Sequence, residues 1–400
     1  YGPTGALATL VNALNAAAGA GTYAYVNPGR PALGGDEIAV AFIYRTATVE
    51  TSGNAAVLDS SVDARFNTDQ QRPSLAQTFR DKATDALFTP VINHLKSKGS
   101  SAGGPGDCVA GDGQGQCNGT RTQAALALAD WIATDPTGSG DPDYILLGDF
   151  NAYAMEDPIR ALLRGSDDAT GTADDLVDLV GIAQYSYTFS GQWGSLDHAL
   201  GSASLQSQVV DAGPWNINAD EPPVLDYNVE FKTPNQQTVL YAPGPFRSAD
   251  HDPLVVGLNP GRTIQGTSRT DTLTGTIGND TLVGAQGRDL LLGGAGADRF
   301  EFRSLLDLYD AIGDFQPGVD RLDIRALMAA VGAPTADPVA GGYLGTVALQ
   351  PVQISQSLAV GLAYTLVTFD PDGSAGPAAP RPLVELIGVA VDDPAVLLGA

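Results

Sequence analysis

Short apolar runs alternate with polar, turn-rich segments over the first 258 residues. The patterns of GALATLVNALNAAAG and TRTQAALALADWIAT predict helices over 5–19 and 120–134. Apolar runs that end at turn residues predict strands over 37–45, 88–97 and 144–147. This alternation predicts an α/β (α+β) four-layer sandwich, in which two packed β-sheets are flanked by helices.

The pattern changes at residue 265, where the chain begins to repeat every nine residues. Each block ends in an apolar residue with an aspartate two positions before it, which predicts a Ca²⁺-binding parallel β-roll over 265–303. The first block has Arg269 in place of glycine, and we interpret it as a degenerate cap. A flexible linker is the alternative, but apolar residues do not recur at a fixed spacing in linkers. The predicted calcium ligands are Asp271, Asp280, Asp289 and Asp298, with the turn residues Gly278, Gly287 and Gly296.

Composition and charge narrow the possibilities. The 400 residues are 43% hydrophobic, which indicates a folded chain of more than one domain. The sequence shows neither an 18-residue apolar run nor a basic N-terminal segment, so no membrane span or signal peptide is visible. A net charge of −25 disfavours indiscriminate binding to nucleic acid or anionic lipid. A polyanionic substrate would therefore need local cations.

The two cysteines, Cys108 and Cys117, lie in one glycine-rich segment. We predict a disulfide between them, which would stabilise an oxidised protein by about 2–3 kcal/mol. A pair of free thiols is the alternative, and two cysteines are too few for a structural zinc site.

The segment Gly148-Asp149-Phe150-Asn151 follows the predicted strand over 144–147. Residues alternate along a strand, so Asp149 and Asn151 share one side at its carboxyl end. A carboxylate can orient water or a cation, and an amide can donate to a phosphoryl oxygen. For this motif alone, an Asx-turn that closes the strand is an equally good interpretation.

The histidines are few and lie near charged residues. His94 ends an apolar stretch, His198 follows Asp197, and His251 precedes a second apolar run. Polar groups at the start of a buried strand are costly unless they are paired or used. We therefore treat the histidines as candidate site residues.

The motifs GDFN, LDH and SADHDP, in this order, resemble the endonuclease/exonuclease/phosphatase superfamily, and most closely its secreted bacterial nucleases. The resemblance covers residues 1–258, which we interpret as the catalytic domain. It implies that His251 is the catalytic imidazole and that Asp197 fixes its tautomer. It also implies that Asp149 and Asn151 orient the attacking water and the scissile phosphate.

The same resemblance assigns the other polar residues. His94 corresponds to a donor to phosphate oxygens, and Asp250 to a ligand of Mg²⁺ or Mn²⁺. Arg72, in QQRPS, corresponds to a phosphate-contacting arginine, although a surface arginine is an equally good interpretation. His198 should point away from Asp197 along a strand, so we interpret it as structural. The implied reaction is metal-assisted phosphodiester hydrolysis without a covalent intermediate.

The sequence departs from this family at three places. Relatives have a metal-binding glutamate, and an asparagine before it, from strands that should precede Tyr1. We therefore expect the chain to be a fragment of a longer protein, and a truncated, metal-poor relic is the alternative. Ala249 replaces a serine common in relatives, and Asn216 stands where histidine is expected.

The nine-residue blocks resemble the RTX modules of bacterial proteins that leave the cell by type I secretion. The segment DAIGDFQPGVDRLDI resembles the region that follows such repeats, and the last 18 residues resemble an export signal. The resemblance implies an all-β secretion target region over 304–400, a type I secretion apparatus as partner, and an extracellular location. It also implies folding coupled to calcium. Residues 259–264 are predicted to be a linker.

We therefore expect an extracellular metal-dependent phosphodiesterase, most simply a nuclease with DNA, and also RNA, as the nucleic acid substrate. A secreted phospholipase or phosphatase of the same fold is the first alternative. A catalytically inactive, calcium-dependent surface or matrix protein is the second.

Overall fold

The computed structural model describes the chain except residues 3, 100–112, 166, 173, 227, 242, 308, 333–337, 350–363, 374–377, 392 and 399–400. The described residues form two compact units. The first contains Tyr1–Lys82 and Leu87–Leu258, and the second contains Ala83–Ala86 and Asn259–Ala400. Cys108 lies outside the described residues, so the predicted disulfide does too, and Cys117 is buried.

The first unit contains twelve named strands and four α-helices in its described part. The helices are α1 (Ala6–Ala18), α2 (Asn118–Ile132), α3 (Asp157–Leu162) and α4 (Pro234–Val239). The strands are β1 (Tyr23–Tyr25), β2 (Ile43–Arg45), β3 (Val49–Leu58), β4 (Ser74–Asp81), β5 (Leu87–His94), β6 (Tyr144–Asp149), β7 (Leu176–Asp178), β8 (Tyr187–Phe189), β9 (Gln192–Gly194), β10 (Asp197–Ser202), β11 (Val209–Pro214) and β12 (Leu254–Leu258).

A six-stranded sheet in the order β3-β4-β5-β6-β10-β7 forms the centre of this unit. The apolar run that begins β6 is buried, and Ala124, Ala125 and Leu128 on one face of α2 pack into the same core. Each such leucine contributes about 1.5–3 kcal/mol by its burial. Strands β11 and β12 pair antiparallel in a second, smaller sheet. The α/β (α+β) class with two sheets and helices is thus confirmed.

The predicted elements agree with the structure except at one strand. The predicted helices correspond to α1 and α2, and two of the predicted strands correspond to β5 and β6. The strand predicted over 37–45 is reduced to β2, Ile43–Arg45, because residues 38–42 form no regular ladder and Ile38 is 54% exposed. The apolar residues of this segment were therefore not sufficient to make a strand of residues 37–42.

A buried carboxylate, Asp252, organises the chain next to β12. Its Oδ1 accepts hydrogen bonds from the backbone N–H groups of Ile217 (3.0 Å), Asn218 (2.7 Å) and Ala219 (3.0 Å). Its own N–H donates to the carbonyl oxygen of Ser186 at 2.7 Å. The residue that follows His251 is thus held from both sides.

Replacing Asp252 with alanine is expected to lower the free energy of unfolding by about 3 kcal/mol, because three buried backbone donors would lose their acceptor. Chemical denaturation would measure this change. The matched control is Asp211→Ala, since Asp211 is exposed and its carboxylate accepts from the adjacent Ala212 N–H. Equal effects of the two substitutions would contradict the assigned role of Asp252.

The second unit is a roll of parallel strands followed by an antiparallel segment. Its strands are β13 (Pro260–Gln265), β14 (Thr272–Thr274), β15 (Asn279–Val283), β16 (Leu290–Leu292), β17 (Arg299–Glu301), β18 (Asp310–Ile312), β19 (Arg321–Asp323), β20 (Leu344–Leu349), β21 (Tyr364–Phe369) and β22 (Arg381–Ile387), and its helix is α5 (Arg325–Ala330). One sheet has the order β13-β15-β17-β19 and the other β14-β16-β18-β22-β21-β20.

The nine-residue period explains this arrangement. Successive blocks supply strands to alternate sheets, so residues 18 apart become neighbours, as Leu273 and Leu291 do, or Leu282 and Phe300. These four side chains are buried between the sheets. The predicted β-roll is therefore confirmed.

Two features of the second unit lie at its boundaries. Strand β13 occupies the segment predicted as a linker, because its backbone pairs with β15 and continues the parallel ladder. The region over 304–400 is mainly β in its described part, with the six-residue helix α5 as an addition. Among the described residues, no helix is long and apolar enough to cross a membrane.

Candidate functional site

Three neighbouring strands of the central sheet bring polar residues together. His94 ends β5 and is paired in register with Asp149, which ends β6. On the other side of β6, Asp149 is paired with Asp197 at the start of β10. Gly148 has φ 124°, and a Cβ there would lie 2.1 Å from the carbonyl oxygen of Asn93. Glycine therefore permits the close strand approach beside Asp149.

His251 joins this group through Asp197. Its Nδ1 lies 2.7 Å from Oδ2 of Asp197, which also accepts a hydrogen bond from the Ser186 hydroxyl at 2.6 Å. The ring of Tyr187 packs 4.4 Å from the imidazole, centroid to centroid. Burial alone would lower the pKa of His251, but the hydrogen bond and the charges of Asp197 and Asp149 raise it to about 9.

Asp149 carries two kinds of contact. Its Oδ1 accepts from the backbone N–H of Asn151 at 2.7 Å, which is the Asx-turn considered above. Its Oδ2 lies 3.5 Å from Nε2 of His94. Burial and the negative charge of Asp197 raise the pKa of Asp149 to about 6. Asp149 therefore closes an Asx-turn with one oxygen and approaches His94 with the other.

The side chain of Asn151 makes its hydrogen bonds within the protein. It adopts φ 49°, a left-handed conformation that asparagine tolerates. Its side-chain amide donates to the carbonyl oxygen of Leu95 and to Oδ2 of Asp149, both at 3.0 Å. In this structure the amide therefore orients Asp149.

Arg72 is the cation next to His94 at one side of the site. Nη1 of Arg72 lies 3.5 Å from Nε2 of His94, and Nη2 lies 3.0 Å from Oδ2 of Asp36. The Arg72 side chain is 15% exposed, so it is not a free surface arginine. Burial and the positive charge of Arg72 lower the pKa of His94 to about 4. His94 is therefore neutral at physiological pH.

The group fits a divalent cation. One ligand atom each from Asp149, Asp197 and His251 lies within 4.8 Å of the others. The carboxylates of Asp149, Asp197 and the nearby Asp250 outnumber the single positive charge of a protonated His251, and carboxylate oxygens suit Mg²⁺ or Mn²⁺. Asp250 is exposed and does not belong to that group among the described residues. Its negative charge contributes to the raised pKa of Asp149.

Some residues fall outside this group, and others were missed. His198 is buried and its Nε2 lies 2.8 Å from the carbonyl oxygen of Ala152, which agrees with a structural role. Ser186 and Tyr187 touch Asp197 and His251, respectively, but the sequence analysis did not select them. The alternation of aromatic and hydroxyl residues in YSYTF, shortly before Asp197, was the feature of the sequence that could have indicated them.

In the second unit, aspartates are stacked in two columns. The Oδ1 atom of each aspartate accepts the backbone N–H of the aspartate one turn earlier, at 2.8–2.9 Å. One column contains Asp271, Asp289 and Asp310, and the other contains Asp280, Asp298 and Asp320. Asp310 and Asp320 were not among the predicted ligands, because their spacing of 21 and 22 residues breaks the nine-residue period.

The second carboxylate oxygens show what the columns can bind. Oδ2 of Asp289, Asp298 and Asp310 is buried and has no hydrogen-bond partner. Burial raises the pKa of Asp298 and of Asp310 to about 7. Unpaired buried carboxylate oxygens are costly in the absence of a cation, and they are the ligands that Ca²⁺ prefers. The columns therefore fit calcium.

The turn glycines allow these columns to stack closely. Gly296 has φ 119°, and a Cβ there would lie 2.4 Å from the carbonyl oxygen of Gly278. Gly287 has φ 150°, and its Cβ would lie 2.6 Å from the carbonyl oxygen of Arg269. A side chain at either position would push successive turns apart.

Comparisons with known proteins agree with both units. A family model described as the Endonuclease/Exonuclease/phosphatase family matches residues 7–251. A second model, the RTX calcium-binding nonapeptide repeat (4 copies), matches residues 265–300. No curated protein matches the chain.

Several solved structures are similar to the chain. An endonuclease/exonuclease/phosphatase family protein from Bacteroides thetaiotaomicron is 17% identical, with 52% of this chain and 70% of that chain covered and a TM-score of 0.36. A mannosyl-6-phosphatase from the same organism is 17% identical, with 52% and 72% covered and a TM-score of 0.35. The human Nocturnin catalytic domain is 14% identical, with 52% and 66% covered and a TM-score of 0.34.

The matched region begins in α1 and ends at His251, so it includes the strand ends that assemble the site. The second matched region contains the four predicted calcium-binding aspartates. The chain therefore belongs to the endonuclease/exonuclease/phosphatase family, a family of phosphoester hydrolases, and carries RTX calcium-binding repeats.

Proposed function

We propose that the protein is an extracellular, metal-dependent phosphodiesterase and that its substrate is nucleic acid, DNA in the first place and RNA also. The observation that carries this proposal is the hydrogen bond from His251 to Asp197, made beside Asp149 at the ends of neighbouring strands. An imidazole held by one carboxylate and facing a second is suited to proton transfer at a phosphate ester.

The chain's own residues have distinct roles in this proposal. In its neutral form, with Nδ1–H donated to Asp197, His251 takes a proton from the attacking water at Nε2. Because its pKa is raised to about 9, this form gains population as the pH rises toward 9 or as a bound cation lowers that pKa. The water oxygen forms the new bond to phosphorus as the ester P–O bond breaks, and the leaving oxygen is released to be protonated. Arg72 supplies the local positive charge that a chain of net charge −25 needs, and Arg72 and the neutral His94 both donate hydrogen bonds to the phosphate oxygens. Asn151 keeps Asp149 in place.

Asp149 would hold Mg²⁺ or Mn²⁺, whereas Asp197 and His251 are bonded to each other, and Asp250 is the proposed further ligand. When bound, such a cation would polarise the phosphate and neutralise part of the carboxylate charge that raises the pKa of His251.

Calcium has a separate, structural part in the proposal. The unpaired oxygens of Asp289, Asp298 and Asp310 support binding of Ca²⁺ in the roll. Folding of the roll would follow export by a type I secretion apparatus into a calcium-rich medium. The RTX repeats, typical of secreted proteins, support this extracellular location.

A second candidate function is hydrolysis of a small phosphomonoester or of a phospholipid head group. The net charge of −25 favours it, because an acidic surface repels a polymer with many phosphates more strongly than it repels a small ester. A substrate panel separates the candidates: single-stranded DNA, RNA, bis(p-nitrophenyl) phosphate, p-nitrophenyl phosphate and a phosphatidylcholine vesicle, all at saturating calcium with added Mg²⁺ or Mn²⁺. We expect the largest kcat/KM for DNA. A larger value for the monoester or the lipid would replace the nuclease proposal, and inactivity on all five would support a purely binding role.

A further inference from the structure

A cavity of about 420 Å³ opens beside the proposed catalytic group. Its lining includes Tyr153, Ile182, Tyr185, Trp193 and the carboxylate-bearing Asp197. Asp197 also binds His251, so the cavity and the catalytic group share this residue. Nothing in the proposed hydrolysis uses this space.

The wall of the cavity is aromatic. Trp193 is 70% exposed, and its ring stacks on Tyr185 with centroids 5.4 Å apart and an angle of 18° between the planes. The hydroxyl of Tyr185 donates to Asp220 at 2.5 Å, and this bond holds the Tyr185 ring in place beneath Trp193. Exposed large apolar side chains that cluster in this way mark ligand sites. The outer face of Trp193 is free to receive a further ring.

The charge of the cavity excludes a phosphate group as its occupant. None of the described residues that line it is Lys or Arg, while Asp178 and Asp197 contribute carboxylates. A ligand with an uncharged, planar ring fits this lining, and the volume is sufficient for a nucleobase with its sugar. Aromatic side chains bind bases in this way in proteins that act on single-stranded nucleic acid.

The hairpin of β8 and β9 links the cavity to the reacting atoms. Tyr187 on β8 packs against His251, and Trp193 on β9 lies on the cavity side. Gly194 permits close packing, because a Cβ there would lie 2.5 Å from the ring of Tyr153. A base on Trp193 and a phosphate at His251 would thus be contacted by residues of the same hairpin.

We propose that this cavity is a base-binding subsite, which stacks the nucleobase next to the scissile phosphate on Trp193. The inference rests on the proposed phosphodiesterase function and adds that the substrate strand must be locally single-stranded, so that one base can leave its stack. It makes Trp193 a specificity-determining residue.

The test measures binding in the His251→Ala background, so that no substrate is cleaved. Labelled hexathymidylate and an abasic hexamer of equal charge are titrated by fluorescence anisotropy in calcium and Mg²⁺. We expect hexathymidylate to bind about tenfold more tightly, since stacking of one base on an aromatic ring strengthens binding by at least that factor in other proteins that bind single strands. Adding Trp193→Ala should abolish this difference, and Trp193→Phe should restore part of it.

The matched control is Phe231→Ala, because Phe231 is an aromatic residue that is 92% exposed and does not line the cavity. It should leave the tenfold difference unchanged. Equal binding of the two hexamers, or a difference that survives Trp193→Ala, would overturn the subsite. Cleavage of DNA by the unmodified protein is measured separately, so a failed subsite and a failed phosphodiesterase proposal give different results.

Discussion

Replacing His251 with alanine is expected to lower kcat for phosphodiester hydrolysis by about 10³-fold, within the range that general acid–base catalysis contributes. The reason is local: the ring bound to Asp197 at 2.7 Å offers the one nitrogen in the proposed mechanism that takes the proton of water. Steady-state hydrolysis of bis(p-nitrophenyl) phosphate by the full-length protein would measure the loss. The melting temperature should change little, because the imidazole is partly exposed.

A matched control for this prediction is His198→Gln. His198 is buried and bonded to Ala152, so its replacement should lower the melting temperature and leave kcat nearly unchanged. The two histidine substitutions should thus have opposite patterns. A His251→Ala protein that keeps more than about a tenth of the wild-type kcat would remove this residue from the proposed mechanism.

Removing calcium is expected to unfold the roll. Without a cation, the unpaired Oδ2 atoms of Asp289, Asp298 and Asp310 remain buried among like charges. Each site contributes about 2.7 kcal/mol at a calcium concentration 100 times its Kd, so the loss of three sites, about 8 kcal/mol, is comparable to the whole stability of an ordinary domain. Circular dichroism during titration with EGTA should show a loss of β-signal that calcium restores. An unchanged spectrum would contradict the calcium columns.

A single substitution should distinguish calcium binding by the aspartate columns from a nonspecific effect of calcium on folding. Asp298→Asn retains the carbonyl oxygen that accepts the Asp280 N–H but loses a negative charge, so the midpoint calcium concentration for folding should rise at least about tenfold. The matched control is Asp271→Asn. Asp271 belongs to the degenerate first block, and its Oδ2 already accepts a hydrogen bond from the Thr267 N–H. Equal shifts in the two variants would argue against a special role for Asp298.

The sequence predicted those features that depend on local pattern. The nine-residue period predicted the roll because each block supplies one strand and half a turn, and the apolar run that ends before Gly148 predicted β6. The roles of Asp197 and His251 came from resemblance to a family, since 54 residues separate them and no local pattern relates them. Their contact depends on how the first unit folds.

Other features required the strand order and the register. His94 and Asp149 are neighbours because β5 and β6 pair in parallel, which the spacing of the two residues does not reveal. Asp310 and Asp320 continue the aspartate columns after the nine-residue period has ended, so a periodic search does not include them. The bonds of the Asn151 amide depend on the position of the Leu95 carbonyl, a residue distant in sequence.

The most direct test of the central claim is cleavage of supercoiled plasmid DNA by the full-length protein at saturating calcium, with and without Mg²⁺ or Mn²⁺. His251→Ala and Asp149→Asn are assayed beside it. The account predicts nicking by the wild-type protein when the second metal is added, and none at equal concentration by either variant. Nicking that is equal in all three proteins, or absent from the wild-type protein on both plasmid and bis(p-nitrophenyl) phosphate, would contradict it.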